Sequence, residues 1–110
     1  MRGLPDLEVL HLATSSITDA GLVHLRELTT VRHLNLVKTG VSDAALAHLK
    51  YLDKLETLHL DWTDITDEGL SHLACCTRLE AVGLQGTRVT PKGVAWLKKV
   101  LPKTKIDAPR

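Results

Sequence analysis

Apolar residues return along this chain with a period of 24. Units 4–27, 28–51, 52–75 and 76–99 align without insertion, and seven columns are apolar in all four. Those columns are headed by Leu4, Leu7, Leu10, Leu12, Ile17, Leu22 and Leu25. Self-similarity at a fixed period marks an array of stacked units, each too small to bury its own apolar face. Within a unit the spacing changes. Leu10 and Leu12 flank His11 in the alternation of a short strand with one buried face. A polar turn from Ala13 to Ser16 follows and Ile17 returns to the core. Leu22 and Leu25, three apart, then outline a helix stripe.

Thr18, Ser42, Thr66 and Thr90 mark the helix start in successive units, each with a hydroxyl able to cap a first-turn N–H. Asp19, Asp43 and Asp67 follow them, where negative charge suits the helix dipole. Pro91 takes that place in the fourth unit, at the helical position that tolerates proline best. Aliphatic pairs bracket each cap at the spacing of a hydrophobic staple: Ile17/Leu22, Val41/Leu46, Ile65/Leu70 and Val89/Val94. Gly21, Ala45, Gly69 and Gly93 form a small-residue column inside the helix, where glycine costs up to about 1 kcal/mol. We read that column as close approach of the helix backbone to the strand layer. A strand and a helix repeated in this way stack as a right-handed coil with a parallel sheet on one side. The expected fold class is therefore α/β, in one domain over residues 1–110.

The LxxLxL pattern, followed by a polar and then an aliphatic position, resembles the leucine-rich-repeat family. It reads Leu7, Leu10, Leu12, Ser15, Ile17, then Val31, Leu34, Leu36, Thr39, Val41. Leu55, Leu58, Leu60, Thr63, Ile65 and Leu79, Val82, Leu84, Thr87, Val89 continue it. The recurring T-D-x-G-L-x-H-L half is similar to the ribonuclease-inhibitor-like and cysteine-containing branches, in their bacterial form. The resemblance covers residues 4–99. It implies a curved solenoid with the parallel sheet on the concave face and helices on the convex face.

The family usually places Asn or Cys where this chain has Ser15, Thr39, Thr63 and Thr87. A hydroxyl has one donor and two lone pairs, so it replaces part of the Asn network. A buried Ser/Thr ladder is expected. Beyond the repeats, Leu101-Pro102-Lys103-Thr104-Lys105-Ile106 echoes Leu4-Pro5-Asp6-Leu7-Glu8-Val9, which suggests a capping strand within 100–110. Leu4 opens a repeat with no polar cap before it. That leaves two expectations: a fragment of a longer solenoid, or self-association through the uncapped N-terminal end.

The resemblance also implies that the strand face binds a protein partner. Its candidate residues are Glu8 and His11 in the first unit, then Arg32, His33, Asn35 and Lys38. Glu56, His59, Asp61 and Trp62 follow in the third unit and Gln85 in the fourth. Trp62, His59, Asp61, His33 and Arg32 are central. Trp62 suits an interface anchor, the competing reading being a ring folded over the neighbouring turn.

Six histidines raise a metal hypothesis. His24, His48 and His72 share a column with Trp96. Neighbouring helices lie about 8–10 Å apart, too far for column members to share a zinc at about 2.0–2.1 Å per bond. They are read as structural, their rings bonding loop backbone. His11, His33 and His59 share the strand face, again too spread for the metal reading to be preferred. No nucleophile elbow, phosphate loop or CxxC pair is present. Catalysis, a cofactor and a metal are not expected.

Composition adds three points. Only Tyr51, Trp62 and Trp96 are aromatic, so aliphatic side chains must fill the core. Adjacent Cys75 and Cys76 bridge only with strain, and the chain opens without a basic-then-apolar leader. Together these suggest reduced thiols in a cytoplasmic protein. No apolar run reaches the ~18–20 residues of a membrane helix. Finally, the net charge of +1 hides an asymmetry. Residues 1–87 carry −5 and residues 88–110 carry +6, which suits an acidic partner, head-to-tail alignment or a solvated cap. No stacking aromatics accompany the lysines in the manner of nucleic-acid binding.

Overall fold

The computed structural model describes residues 8–14, 17–18, 20–21 and 29–107, the side chains at positions 50 and 75 excepted. Leu4, Leu7, Ser15, Asp19, Leu22, His24, Leu25 and Leu28, all placed in repeat columns above, lie outside the described residues.

Five three-residue strands form one parallel sheet in chain order. They are β1 (Val9–His11), β2 (His33–Asn35), β3 (Thr57–His59), β4 (Ala81–Gly83) and β5 (Lys105–Asp107). Leu10, Leu34, Leu58, Val82 and Ile106 are successive partners across the sheet. As the middle residue of each strand, each points opposite to its two neighbours. Leu34 and Leu58 are wholly buried and Val82 almost so. Pairing continues past the strands. The amides of Leu12, Leu36, Leu60 and Leu84 donate to the carbonyls of Asn35, His59, Gly83 and Asp107 at 2.8–2.9 Å.

The second layer is helical. α1 (Asp43–Leu46) runs into a 3₁₀ turn at Ala47–Tyr51, and α2 (Asp67–Leu70) into another at Ser71–Cys75. α3 (Pro91–Val100) is α-helical throughout. The spacing of buried residues accounts for the difference. Leu46, Leu49 and Leu52 advance by steps of three, as do Leu70, Leu73 and Cys76, and all six are buried. A 3₁₀ turn, with three residues per turn, keeps such residues on one line. In the last coil Val94, Leu97 and Leu101 advance by three and then four, which suits 3.6 residues per turn.

That extra step is taken back before β5: Val82 lies six positions after Cys76, but Ile106 only five after Leu101. The echo of Leu4–Val9 in Leu101–Ile106 equates Ile106 with outward-facing Val9. The sheet instead pairs Ile106 with Val82, in the inward column. A one-residue shift exchanges the faces of a strand. Lys105 and Asp107 therefore join the open face.

The caps and the small-residue column also differ from the sequence reading. Ser42 and Thr66 make no side-chain cap bond; among the described residues the Thr90 hydroxyl is the one that accepts, from Gly93 N–H at 3.3 Å. The Thr66 and Thr90 hydroxyls face the preceding coil. Thr66 donates its N–H to Asp43 Oδ1 at 2.8 Å and its hydroxyl to Asp43 Oδ2. Thr90 binds Asp67 through the same two groups. Each aspartate thus fastens its own coil to the next. A Cβ built on Gly69 would lie 2.4 Å from Asp43 Oδ1, and one on Gly93 2.1 Å from Asp67 Oδ1. The small residue leaves room for this carboxylate, not for the strand layer.

Candidate interaction surface

The open face of the sheet carries two rows of side chains. Val9, His33, Thr57, Ala81 and Lys105 form one; His11, Asn35, His59, Gly83 and Asp107 form the other. Val9, His11, His33, His59, Lys105 and Asp107 are exposed, while Asn35 and Thr57 are half-buried. His11 Nε2 and Asn35 Nδ2 are 3.1 Å apart, and Asn35 Oδ1 accepts the N–H of Val37 at 3.0 Å. Asn35 is therefore engaged on both sides and contributes little free hydrogen-bonding capacity.

Just before the strands, Arg32 lies between two carboxylates. Its Nη1 meets Glu56 at 2.8 Å and its Nε meets Glu8 at 3.5 Å. These three expected partner-binding residues pair with one another across three coils and leave one negative charge in excess. Asp61 is half-buried, with Oδ2 accepting Gln85 N–H at 3.2 Å. Gln85 Nε2 donates to Asp107 Oδ1 at 2.8 Å.

Lys38 and Trp62 lie beyond the sheet, at the corner where each coil leaves it. Thr14, Lys38, Trp62 and Gly86 share that column with φ of 58°, 58°, 61° and 70°. Left-handed backbone disfavours any residue but glycine, and a tryptophan there is uncommon. The indole lies over the next corner: a Cβ built on Gly86 would come 2.2 Å from Cε3 of the ring. So the ring folds over the neighbouring turn, and it still exposes 59% of its surface. Asp64 stands nearby in ion pair with Arg88 at 3.5 Å.

A depression of about 430 Å³ opens on the strand face above β4. Ala81 and Gly83 form its floor; the side chain of Ala81 is short, and the Asp61 carboxylate lies against Gly83, 2.3 Å from where a Cβ would stand. His59 stands on one side, Lys105 and Asp107 on the other. The volume falls within the usual range of ~300–1,000 Å³ for binding clefts. Lys105 and Asp107 were missed in the sequence because the echo shifts them by one residue. The signal was the polar–apolar–polar triplet Lys105-Ile106-Asp107, which lies 24 residues after Ala81-Val82-Gly83.

Behind the face lies the hydroxyl column. Thr39, Thr63 and Thr87 donate to the carbonyls of Leu36, Leu60 and Leu84 at 2.8, 2.6 and 2.7 Å. Each bond closes its own turn, and the hydroxyls of successive coils are not joined. Thr39 and Thr63 are buried, and Thr87 is half-buried. Among the described residues no three His, Cys, Asp or Glu side chains come together around a metal-sized space. His48 and His72 are half-buried, but no described backbone group bonds their rings.

The fold matches known structures over nearly the full length of the chain. Internalin C2 of Listeria monocytogenes aligns over 98% of this chain with a TM-score of 0.74 and 28% identity. A leucine-rich-repeat protein of Leptospira interrogans aligns over 94% with a TM-score of 0.75 and 25% identity. Residues 54–74 match the family described as Leucine Rich repeat. The chain has the leucine-rich-repeat fold. The same fold recurs in leiomodin-1 actin-binding site 2, at TM-score 0.73 and 22% identity over 96% of the chain. The chain spans 43% of the internalin and 26% of the Leptospira protein. No curated protein sequence matches it significantly. Leucine-rich-repeat domains are typically protein-interaction modules and generally non-catalytic.

Proposed function

We propose that this protein is a non-catalytic interaction module that binds a protein partner through the strand face, centred on the depression above β4. The observation that carries this reading is the floor of Ala81 and Gly83 between His59 and the Lys105/Asp107 pair. It is an open cleft whose walls offer one imidazole and charges of both signs. Trp62 supplies an exposed apolar surface at the edge of the same face. His11, His33 and Lys38 extend the contact over neighbouring coils. Arg32, Glu8 and Glu56 hold their ladder and set the rim charge, Asn35 and Gln85 position neighbours, and Asp61 supports the corner.

Affinity capture tests this with three proteins: the wild type, Trp62→Ala, and an Ala81→Leu variant that fills the depression. A partner retained by the wild type and lost with Ala81→Leu supports the site. Equal recovery by all three removes the strand face from the proposal.

A second reading is favoured by the lengths just given: the chain serves as one segment of a longer solenoid. Leu10, Leu12 and Ile17 are only partly buried, which suits a further coil or a second copy packing against β1. The T-D-x-G-L-x-H-L repeats support placement in the ribonuclease-inhibitor-like, cysteine-containing branch. Cys75 and Cys76 are adjacent in the chain and bridge to each other only with strain, which supports a reducing, cytoplasmic setting.

A further inference from the structure

The exposed side of α3 has a composition unlike that of the other helices. α1 and α2 begin with acidic residues, Asp43 in one and Asp67 with Glu68 in the other. α3 contains no carboxylate and carries Lys92, Lys98 and Lys99, with Lys103 in the turn beyond. Its inner side is used up by Gly93, Val94 and Leu97, all buried in the core. The outer side presents Lys92, Ala95, Trp96, Lys99 and Val100, all exposed. Lys92 stands four residues before Trp96 and Lys99 three after it, so both neighbour the indole on one helix face. Trp96 and Val100 each expose 40% of their surface. Among the described residues no ion pair involves Lys92, Lys98, Lys99 or Lys103.

We propose that this face of α3 is a second interaction surface, for an acidic protein segment that sets an apolar side chain against Trp96 between carboxylates. Charge complementarity names the occupant: the four lysines concentrate most of the +6 carried by residues 88–110. The apolar contact decides the class of macromolecule. Trp96 is more than half covered by its own coil, so it cannot enter a bilayer as an interfacial helix does, with an apolar face sunk about 5–10 Å. Nucleic-acid strands are held by successive aromatic platforms, and this face offers one ring. A narrow apolar strip bordered by ammonium groups fits a peptide with carboxylates on either side of a Leu, Ile or Phe. Lys92 and Lys99 are about 10 Å apart along the axis at 1.5 Å per residue. Carboxylates three residues apart in an extended segment span the same distance at about 3.3 Å per residue.

The test is selection from a random twelve-residue peptide display library on the folded wild-type chain, with Lys92→Glu/Lys99→Glu as the counter-target. Enriched peptides should carry at least three carboxylates around an aliphatic or aromatic residue. They should bind the wild type at least tenfold more tightly than the charge-reversed protein and lose about tenfold between 50 and 500 mM salt. Trp96→Ala should weaken them at least threefold. Ala81→Leu should leave them unchanged, which separates this surface from the strand face. Circular dichroism confirms that each variant is folded. Enrichment of peptides without acidic excess, or none that distinguishes the two proteins, overturns the proposal. So does charge-reversal-sensitive binding to phosphatidylserine vesicles or duplex DNA that exceeds binding to every selected peptide.

Discussion

Thr63 brings an oxygen into a layer otherwise built of leucine, and its hydroxyl is paired with the Leu60 carbonyl at 2.6 Å. Thr63→Val keeps the shape and removes the donor, which leaves a buried carbonyl unpaired. The expected loss is about 1–3 kcal/mol, read from urea unfolding; a loss below about 0.5 kcal/mol would show the bond to be dispensable. The corner column offers a second residue-scale test. Gly86→Ala combines a left-handed φ of 70° with a Cβ that meets the Trp62 ring. Its cost should be about 1–3 kcal/mol, since backbone strain alone is worth about 1–2 kcal/mol. In a Trp62→Ala background the ring clash disappears and the cost should fall by at least about 0.5 kcal/mol, a coupling measured by a double-mutant cycle. The corner was only half legible in sequence. The glycine in the Thr14/Lys38/Trp62 column hints at positive φ, but polar and aromatic types there read equally well as a strand surface.

Helix starts were legible as positions, and the capping device expected at them is made at Thr90 but not at Ser42 or Thr66. Ser, Thr and Asp at the right spacing satisfy capping rules that look only four residues ahead. In a stack of 24-residue coils, Asp43 is equally close to Thr66, and the contact across coils wins. Gly69 completes the unit, since its missing Cβ is the space that the Asp43 carboxylate occupies. Asp43→Ala removes both acceptors from Thr66 and should cost about 1–3 kcal/mol. The sharper test is a change of sign. In the wild type, Gly69→Ala pushes the carboxylate off Thr66 and destabilises. With Asp43→Ala already made, the tight contact left is Leu46 Cδ1 at 3.0 Å, the end of a flexible side chain, and once it shifts the same change should be neutral or stabilise by up to about 1 kcal/mol, the helix preference of alanine over glycine. Thermal melts of the four proteins check this. The same long-range logic explains the split between 3₁₀ and α-helix. Steps of three and three, or three and four, were present in the leucines, but their meaning depends on the next coil's register.

At the scale of the molecule, the seven apolar columns were sufficient to read a parallel sheet backed by helices, because a column with no polar exception has few places to go but a shared core. What they could not show is how protection varies along the stack, which depends on neighbours on both sides. Leu34 lies between Leu10 and Leu58 and is wholly buried, while Leu10 is only partly covered. In a quasi-one-dimensional stack each coil is stabilised by its own packing and by its two interfaces. Leu34→Ala should therefore cost about 2–5 kcal/mol, as for a fully enclosed leucine, and Leu10→Ala only about 1–2 kcal/mol, from partial burial. Amide hydrogen exchange gives the matching readout without mutation. Leu36 N–H, bonded to His59, should exchange more slowly than Leu12 N–H, bonded to Asn35, by at least tenfold. Equal protection would mean that the stack unfolds as a single cooperative block, with the coupling between coils stronger than the difference in their burial.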